Sequence, residues 1–134
     1  MSNDTHTATI ADFILARVAD DEAVAMAALR EAAYTHFGDT AAESLLGLAT
    51  SEGADDVAVQ HFRRHDPARV LAECKATRAI VESHASFKAD AGNVERSALD
   101  RLVSGGAAAG ADTILSALAA VYVGHEDYRD EWSL

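Results

Sequence analysis

The sequence holds a histidine and an aspartate side by side, His65 and Asp66, in the stretch "RRHDPARVL". A His-Asp doublet is a hallmark of metal-dependent phosphohydrolases, in which both side chains bind one metal ion. Such a site also needs a histidine well upstream and an aspartate far downstream. His36 could fill the first role, and Asp100 or Asp112 the second.

A second histidine, His61, lies four residues before His65, so a continuous helix would place both imidazoles on one face as half of a zinc or nickel site. His61, His65 and Asp66 therefore define one alternative function, a metal-dependent hydrolase. An aspartate before a proline is, however, also how a helix begins. We favour this interpretation, in which Asp66 is the N-cap and Pro67, the only proline, occupies the first helical position.

The other sequence motifs do not indicate catalysis. "HEDYR" begins like the zinc-protease motif HExxH, but its fifth residue is Arg129, and "SGGAAAG" lacks the lysine of a phosphate-binding loop. Cys74 is the only cysteine, so no disulfide can form within the chain, and it falls on the apolar face of a predicted helix. We therefore expect no enzyme, no catalytic residue and no bound metal or cofactor.

Helical periodicity dominates the chain. With 6% aromatic residues and many alanines, the composition favours closely packed helices. Apolar residues at three- and four-residue spacing predict helices over about 8–36, 40–50, 55–64, 67–84, 94–103 and from 112 to Gly124. The sequence thus predicts an all-α bundle of about five or six helices, with a long N-terminal helix, in a single domain over 1–134.

Three segments are expected to lie outside the helices. Residues 1–7 are small and polar and should be frayed, and the glycines within 104–111 predict a flexible connection. Residues 125–134 form a C-terminal tail in which Tyr128, Arg129 and Trp132 are candidate contacts with another protein. Because Tyr128 and Trp132 are four residues apart, one helical turn could instead dock both rings on the protein's own core, and we favour this second interpretation.

The formal net charge of −11 disfavours direct binding to nucleic acids and to anionic membranes. It leaves open a DNA mimic that inhibits a nucleic-acid enzyme, in which carboxylates stand in for phosphates. The acids that could form such rows are Asp12, Asp20, Asp21, Glu22, Glu31 and Glu43. The N-terminal stretch has no signal-peptide pattern and no run of eighteen apolar residues occurs, so we expect a cytoplasmic protein that does not span a membrane.

Three blocks together carry a family resemblance: "FILARVADDEAVA", "RHDPARVLAECKATRAIVESH" and "YVGHEDYRDEW". They resemble a family of small actinobacterial and actinophage proteins of unknown function, with the central pattern "HDPARVLxExxAKRxI" and the ending "YADHPDYREEW". This sequence has Glu126 where the family tends to have proline. It also lacks the cysteine-containing segment that many relatives carry between the second and third blocks.

The resemblance implies a source, an actinobacterium or its phage, without implying a mechanism. We expect an accessory protein that acts by contact with a protein partner. The many small side chains let helices approach closely, so a homodimer is a further expectation.

Overall fold

The computed structural model describes residues 8–35 and 65–134, with the backbone alone for 32–35. These residues form three α-helices, α1 (Ile10–Thr35), α2 (Pro67–Gly92) and α3 (Ala98–Ala120), followed by a short 3₁₀ helix, Asp130–Trp132. They contain no strand, so the predicted all-α class is confirmed. The five or six predicted helices are not supported, and those expected over 40–50 and 55–64 lie outside the described residues.

The chain divides into two compact units, one made of Met1–Val18 and Thr77–Leu134 and the other of Ala19–Ala76. In the described part of the first unit, the core consists of Phe13, Ile14, Val18, Val81, His84, Ala108, Leu115, Ala119 and Trp132. In the second, Ala25 and Cys74 are the buried side chains. The single domain over 1–134 stays a prediction.

Helix α1 begins with a reciprocal pair of side-chain hydrogen bonds. The backbone N–H of Asp12 donates to the Thr9 hydroxyl at 3.1 Å, and the backbone N–H of Thr9 donates to the Asp12 carboxylate at 2.9 Å. This is a capping box, which satisfies two backbone donors that the first helical turn would otherwise leave free. It fixes the start of the helix that carries Phe13 and Arg17.

Helix α2 begins where the sequence predicted. The Asp66 carboxylate accepts a hydrogen bond from the backbone N–H of Arg69 at 2.8 Å, and Pro67 is the first helical residue. The helix continues to Gly92, eight residues beyond the predicted end, because "ASFKADAG" contains good helix formers and no proline. The chain then turns at Asn93, whose side chain accepts from the N–H of Glu95 at 2.9 Å.

The predicted flexible connection over 104–111 is wrong, because these residues form the middle of α3. The two helices expected over 94–103 and from 112 are therefore one, which lowers the helix count. Each interior glycine costs about 1 kcal/mol relative to alanine. Packing stabilises this part of the helix: Ala108 is buried, and the ideal Cβ position of Gly105 lies at an ordinary contact distance of 3.9 Å from Ala91 Cβ.

Helices α2 and α3 run antiparallel within the first unit. Two contacts mark their register, Ala91 with Gly105 near the connecting turn and His84 with Asp112 two turns further along. Helix α3 is capped by Ser97, whose hydroxyl accepts from the backbone N–H of Asp100 at 3.1 Å. It ends at Ala120, four residues before Gly124, where the sequence had placed its end.

Some apolar residues at helical spacing are exposed instead of buried. Val24 on α1, Ile80 on α2 and Val121 after α3 are 72%, 37% and 76% exposed, although they belong to the three- and four-residue spacing that predicts the helices. Their neighbours Ala25, Val81 and Ala119 are buried. Because one residue step rotates a helix face by about 100°, a periodic pattern identifies the face without fixing its edges.

Among the described residues, α3 is also the one helix long and apolar enough to cross a membrane by length and composition, with 22% of its apolar window buried. Core helices of globular proteins meet the same criteria. The finding alone does not assign the protein to a membrane.

We predict that Asp66→Ala lowers the free energy of unfolding by about 1 kcal/mol, because it removes the acceptor for the Arg69 N–H. Asp66→Asn keeps an acceptor oxygen and should change the stability much less. Urea unfolding followed by circular dichroism measures both. Equal effects of the two variants would show that the cap does not stabilise α2.

We also predict that Gly106→Ala raises the free energy of unfolding by about 0.5–1 kcal/mol, because alanine is the better helix former. Gly106 lies inside α3, and apart from α3 itself no atom of the described residues lies within 4 Å of the position that a Cβ would take. The same urea experiment applies, at a protein concentration low enough to keep the chain monomeric, so that self-association does not add to the stability. A lower stability of this monomer would contradict a continuous helix with an open Gly106.

Candidate interaction site at the C-terminus

The chain after α3 folds back through a series of tight turns. Tyr122 N–H donates to the carbonyl of Ala119, His125 N–H to that of Tyr122, and Tyr128 N–H to that of His125, each at 2.9 Å. Each turn uses an i to i+3 hydrogen bond, which reverses the chain within a few residues. The tail thereby reaches the first turns of α1.

Phe13 is the centre of an aromatic cluster that joins the two ends of the chain. Its ring centroid lies 4.9 Å from that of Trp132, 5.9 Å from His125, 6.0 Å from Tyr128 and 6.2 Å from Tyr122. Three of these pairs are edge-to-face, the geometry that ring quadrupoles favour. Phe13 and Trp132 are 5% and 9% exposed, so the cluster is part of the core.

Arg17 stands one helical turn after Phe13 and connects the cluster to the polar side of the tail. Its guanidinium carbon is 5.6 Å from the Phe13 ring, its Nη1 contacts both ring nitrogens of His125, and Nη1 is 3.6 Å from Asp127 Oδ2. The Asp127 N–H also donates to His125 Nδ1 at 3.1 Å. The Arg17 side chain is only 13% exposed, so these contacts hold it in place.

A cleft of about 570 Å³ opens between the start of α1 and the tail. We call it the C-terminal cleft; it is lined by Ala8, Asp12, Phe13, Ala16, Arg17, Glu126, Asp127, Tyr128, Arg129 and Trp132. Its floor is aromatic, and its rim carries two arginines and three acids. Aromatic rings beside arginines and acids can bind an apolar side chain and a charged group at the same time.

The structure brings the three predicted interaction residues together in this cleft. Trp132 is buried in the floor, as expected for a tail that docks on its own core, although it lies in a 3₁₀ helix instead of an α-helical turn. Tyr128 packs edge-to-face on Trp132 at 5.9 Å, and the Arg129 guanidinium carbon is 5.2 Å from the Trp132 ring. Their role as contacts for another protein stays a prediction.

The His-Asp doublet is not an assembled site in the described residues. His65 is exposed in a turn and Asp66 caps α2, while His36 and His61 lie outside the described residues. No group of three or more metal-binding side chains occurs within residues 8–35 and 65–134. Cys74 is buried, as its helical position predicted.

A different histidine and aspartate do meet. His84 Nε2 lies 2.7 Å from Asp112 Oδ1, which joins α2 to α3. His84 is 5% exposed, so the contact gives a buried imidazole its hydrogen-bond partner. Asp112, which the sequence nominated as a distant metal ligand, therefore has a structural contact.

Sequence reasoning missed the residues that α1 contributes to the cleft, above all Phe13 and Arg17. The available signal was their spacing, since residues four apart lie on the same face of a helix. An arginine one turn after a buried aromatic residue can therefore contact both that ring and a segment packed on it.

A second exposed surface runs along α3, on the side away from its buried residues. We call it the α3 face; its members are all exposed and uncharged, and they are Leu99, Leu102, Val103, Gly106, Ala109, Gly110, Thr113, Ile114, Ala117, Ala120 and Val121. Leu99, Leu102 and Val103 are 68%, 72% and 65% exposed. An uncharged, largely apolar strip of this length is a candidate interaction surface.

The buried tryptophan gives a stability prediction. Trp132→Ala should lower the free energy of unfolding by about 3 kcal/mol, because it removes the ring packed on Phe13 and leaves a cavity. Leu134→Ala, two residues away and 79% exposed, is the matched control and should change it by less than about 0.5 kcal/mol. Urea unfolding measures both, and equal small effects would mean that the tail is not docked.

Comparison with known proteins identifies the family. The model of a family of unknown function, DUF6221, matches residues 7–134. No curated protein and no solved structure matches the chain. The match includes both ends that form the C-terminal cleft and confirms the membership in a family of unknown function that the three sequence blocks predicted. The chain therefore belongs to this family of unknown function, DUF6221.

Proposed function

We propose that the protein is a non-enzymatic, cytoplasmic accessory protein, from an actinobacterium or its phage, that holds a segment of another protein in the C-terminal cleft. The observation that carries this proposal is the aromatic floor of the cleft beneath a rim of arginines and acids. Tryptophan, tyrosine and arginine are the residues most enriched among those that dominate binding energy at protein interfaces.

The geometry supports a short protein segment as the occupant. A volume of about 570 Å³ accommodates a few side chains. An apolar side chain of the partner can pack against Trp132 and Tyr128, while Arg129 at the rim can bind a carboxylate of the partner. Besides lying over the Trp132 ring, Arg129 has one ion pair within the described residues, at 3.4 Å from the exposed Glu131. Replacing the Glu131 carboxylate by a carboxylate of the partner costs little free energy, because exposed ion pairs contribute little to stability.

The packing of the floor also favours binding. Phe13, Trp132 and Arg17 are held by contacts within the protein, so they lose little freedom when a partner binds. Ordering an interface side chain costs about 0.5–1.5 kcal/mol, and a preorganised site avoids most of that cost. Tyr128 and Arg129 are partly exposed and remain available at the rim.

The DNA-mimic alternative receives less support from α1. A mimic needs carboxylates in rows at regular spacing, but Asp20, Asp21 and Glu22 are consecutive helical residues. They therefore spread over about 200° around the helix axis instead of forming one row. Asp12 is already the partner of Thr9 in the capping box.

The metal-dependent hydrolase would use Asp66, whose carboxylate already accepts the Arg69 N–H. Metal ligation through both carboxylate oxygens would compete with the cap of α2. His61, the other residue that this alternative requires, lies outside the described residues. Protein binding at the cleft is therefore the function with the stronger structural support.

The test is affinity capture from an actinobacterial lysate with the full chain as bait, read by quantitative mass spectrometry. We expect a specifically recovered protein whose yield falls at least about tenfold with Arg129→Glu and with Tyr128→Ala, as for interface residues worth more than about 1.4 kcal/mol. Glu82→Gln on α2 is the control and should recover the same protein at the wild-type level. Circular dichroism should show that all baits keep their helices.

Recovery of no specific protein, or equal recovery by the wild type and both cleft variants, would overturn binding at this cleft.

A further inference from the structure

The α3 face is a second interaction surface, separate from the C-terminal cleft. We propose that it is covered by the α3 face of a second copy of this chain, in a symmetric antiparallel dimer that crosses at Gly110. This inference does not rest on the function proposed for the cleft, since the two surfaces share no residue.

The spacing along the centre of the face is symmetric about Gly110. Its members, separated by steps of four, three, four, four, three and four residues, are Leu99, Val103, Gly106, Gly110, Ile114, Ala117 and Val121. Reading the strip from either end gives the same spacing. A two-fold axis between the copies requires this property. Wherever residue i of one copy contacts residue j of the second, residue j of the first copy also contacts residue i of the second.

The side-chain sizes are also complementary under this symmetry. With the axis at Gly110, the bulky Ile114 meets Gly106 of the second copy, and Val103 meets Ala117. At the ends, Leu99 meets Val121. A large side chain opposite a small one lets the two helices interdigitate without voids. Glycine at the crossing point lets the two backbones approach closely, and apart from α3 itself no atom of the described residues lies within 4 Å of the Cβ position at Gly106 or Gly110.

Charge favours this surface for self-association. Each copy carries a net charge of −11, so two copies repel each other over most of their surfaces. From Leu99 to Val121 the charged residues are Asp100, Arg101 and Asp112, and none of them belongs to the α3 face. Asp100 is hydrogen-bonded to Ser97 at the start of the helix, and Asp112 contacts His84. The α3 face is therefore a surface on which two copies meet without placing like charges opposite each other.

The size of the α3 face determines the expected affinity between the two copies. From Leu99 to Val121 it is about 33 Å long, and its arc of about 140° is about 15 Å wide at the solvent boundary. Two copies would bury roughly 1,000 Å², the lower limit for a specific interface. The dimer should therefore be reversible, with a dissociation constant in the micromolar range.

A lipid surface is the competing occupant, but α3 fits it less well. The opposite side of α3 packs Leu115 and Ala119 into the core, which leaves only one apolar strip exposed. Helices that lie on membranes carry lysine or arginine along their polar side and aromatic residues at the interface. Helix α3 has a single basic residue, Arg101, and no aromatic residue.

Sedimentation velocity over a concentration series from about 1 to 100 µM tests the dimer. The wild type should pass from a 14.1 kDa monomer to a species of twice that mass. Gly110→Leu should stay monomeric or bind at least tenfold more weakly, because leucine suits an open helical position yet collides with its own copy at the crossing. Ala79→Leu adds the same side chain to an exposed position of α2 and should dimerise like the wild type.

Cysteine cross-linking in a Cys74→Ala background tests the orientation. A mixture of Leu99→Cys and Val121→Cys should form a disulfide between copies, whereas Leu99→Cys alone should not, because antiparallel helices separate the two copies of residue 99. Cross-linking of Leu99→Cys to itself would overturn the antiparallel arrangement.

Three results would overturn the dimer itself: a wild type that is monomeric throughout the series, a Gly110→Leu variant that dimerises normally, or co-sedimentation of the wild type with phosphatidylcholine–phosphatidylglycerol vesicles without self-association. Arg129→Glu at the cleft should leave the dimer intact. The two surfaces can therefore fail independently.

Discussion

The contact on which the candidate site depends is the packing of four rings around Phe13. It joins residue 13 to residues 122–132, almost the full length of the chain. Edge-to-face aromatic pairs contribute about 0.5–1.5 kcal/mol each beyond burial, so the cluster supplies a sizeable part of a typical domain stability of about 5–15 kcal/mol. The entropic cost of closing a loop rises only with the logarithm of its length. A contact between residues this far apart in the chain therefore costs little more free energy than one between nearer residues.

The same cluster determines the chemistry at the rim. Because the tail docks through Tyr128 and Trp132, Asp127 is brought to 3.6 Å from Arg17, and Arg129 lies over the Trp132 ring. Asp127 is exposed, so its ion pair with the largely buried Arg17 is screened by solvent on one side and contributes less than the buried rings. The aromatic rings therefore supply the stability and the charged groups supply the direction, which gives the rim the defined pattern that the proposed function requires.

The parts of this arrangement that depend on interactions between neighbouring residues could be predicted from the sequence. The start of α2 follows from Asp66 and Pro67. The spacing of Tyr128 and Trp132 favoured a docked tail over a free recognition segment, but through an α-helical turn, whereas Trp132 lies in a 3₁₀ helix. The starts of α1 and α3 carry equally local signals, which the sequence analysis did not use. These signals are the pairs Thr9 with Asp12 and Ser97 with Asp100. The central position of Phe13 in the aromatic cluster could not be predicted. The spacing of residues along a helix does not show which distant rings pack on one of them.

Helix α3 shows why composition misled the sequence prediction. Three glycines in six residues are typical of a linker, since each loses conformational freedom when it becomes helical. In α3 the glycines instead lie within one continuous helix: Gly105 lies against Ala91, while Gly106 and Gly110 lie on the exposed side. The contact of Gly105 with Ala91 is an ordinary van der Waals distance that alanine would also tolerate, and no contact within the described residues requires the other two glycines. Two glycines on an open, uncharged face carry a cost that close approach of another helix would offset, and the second α3 that we propose, with the same spacing, meets that condition.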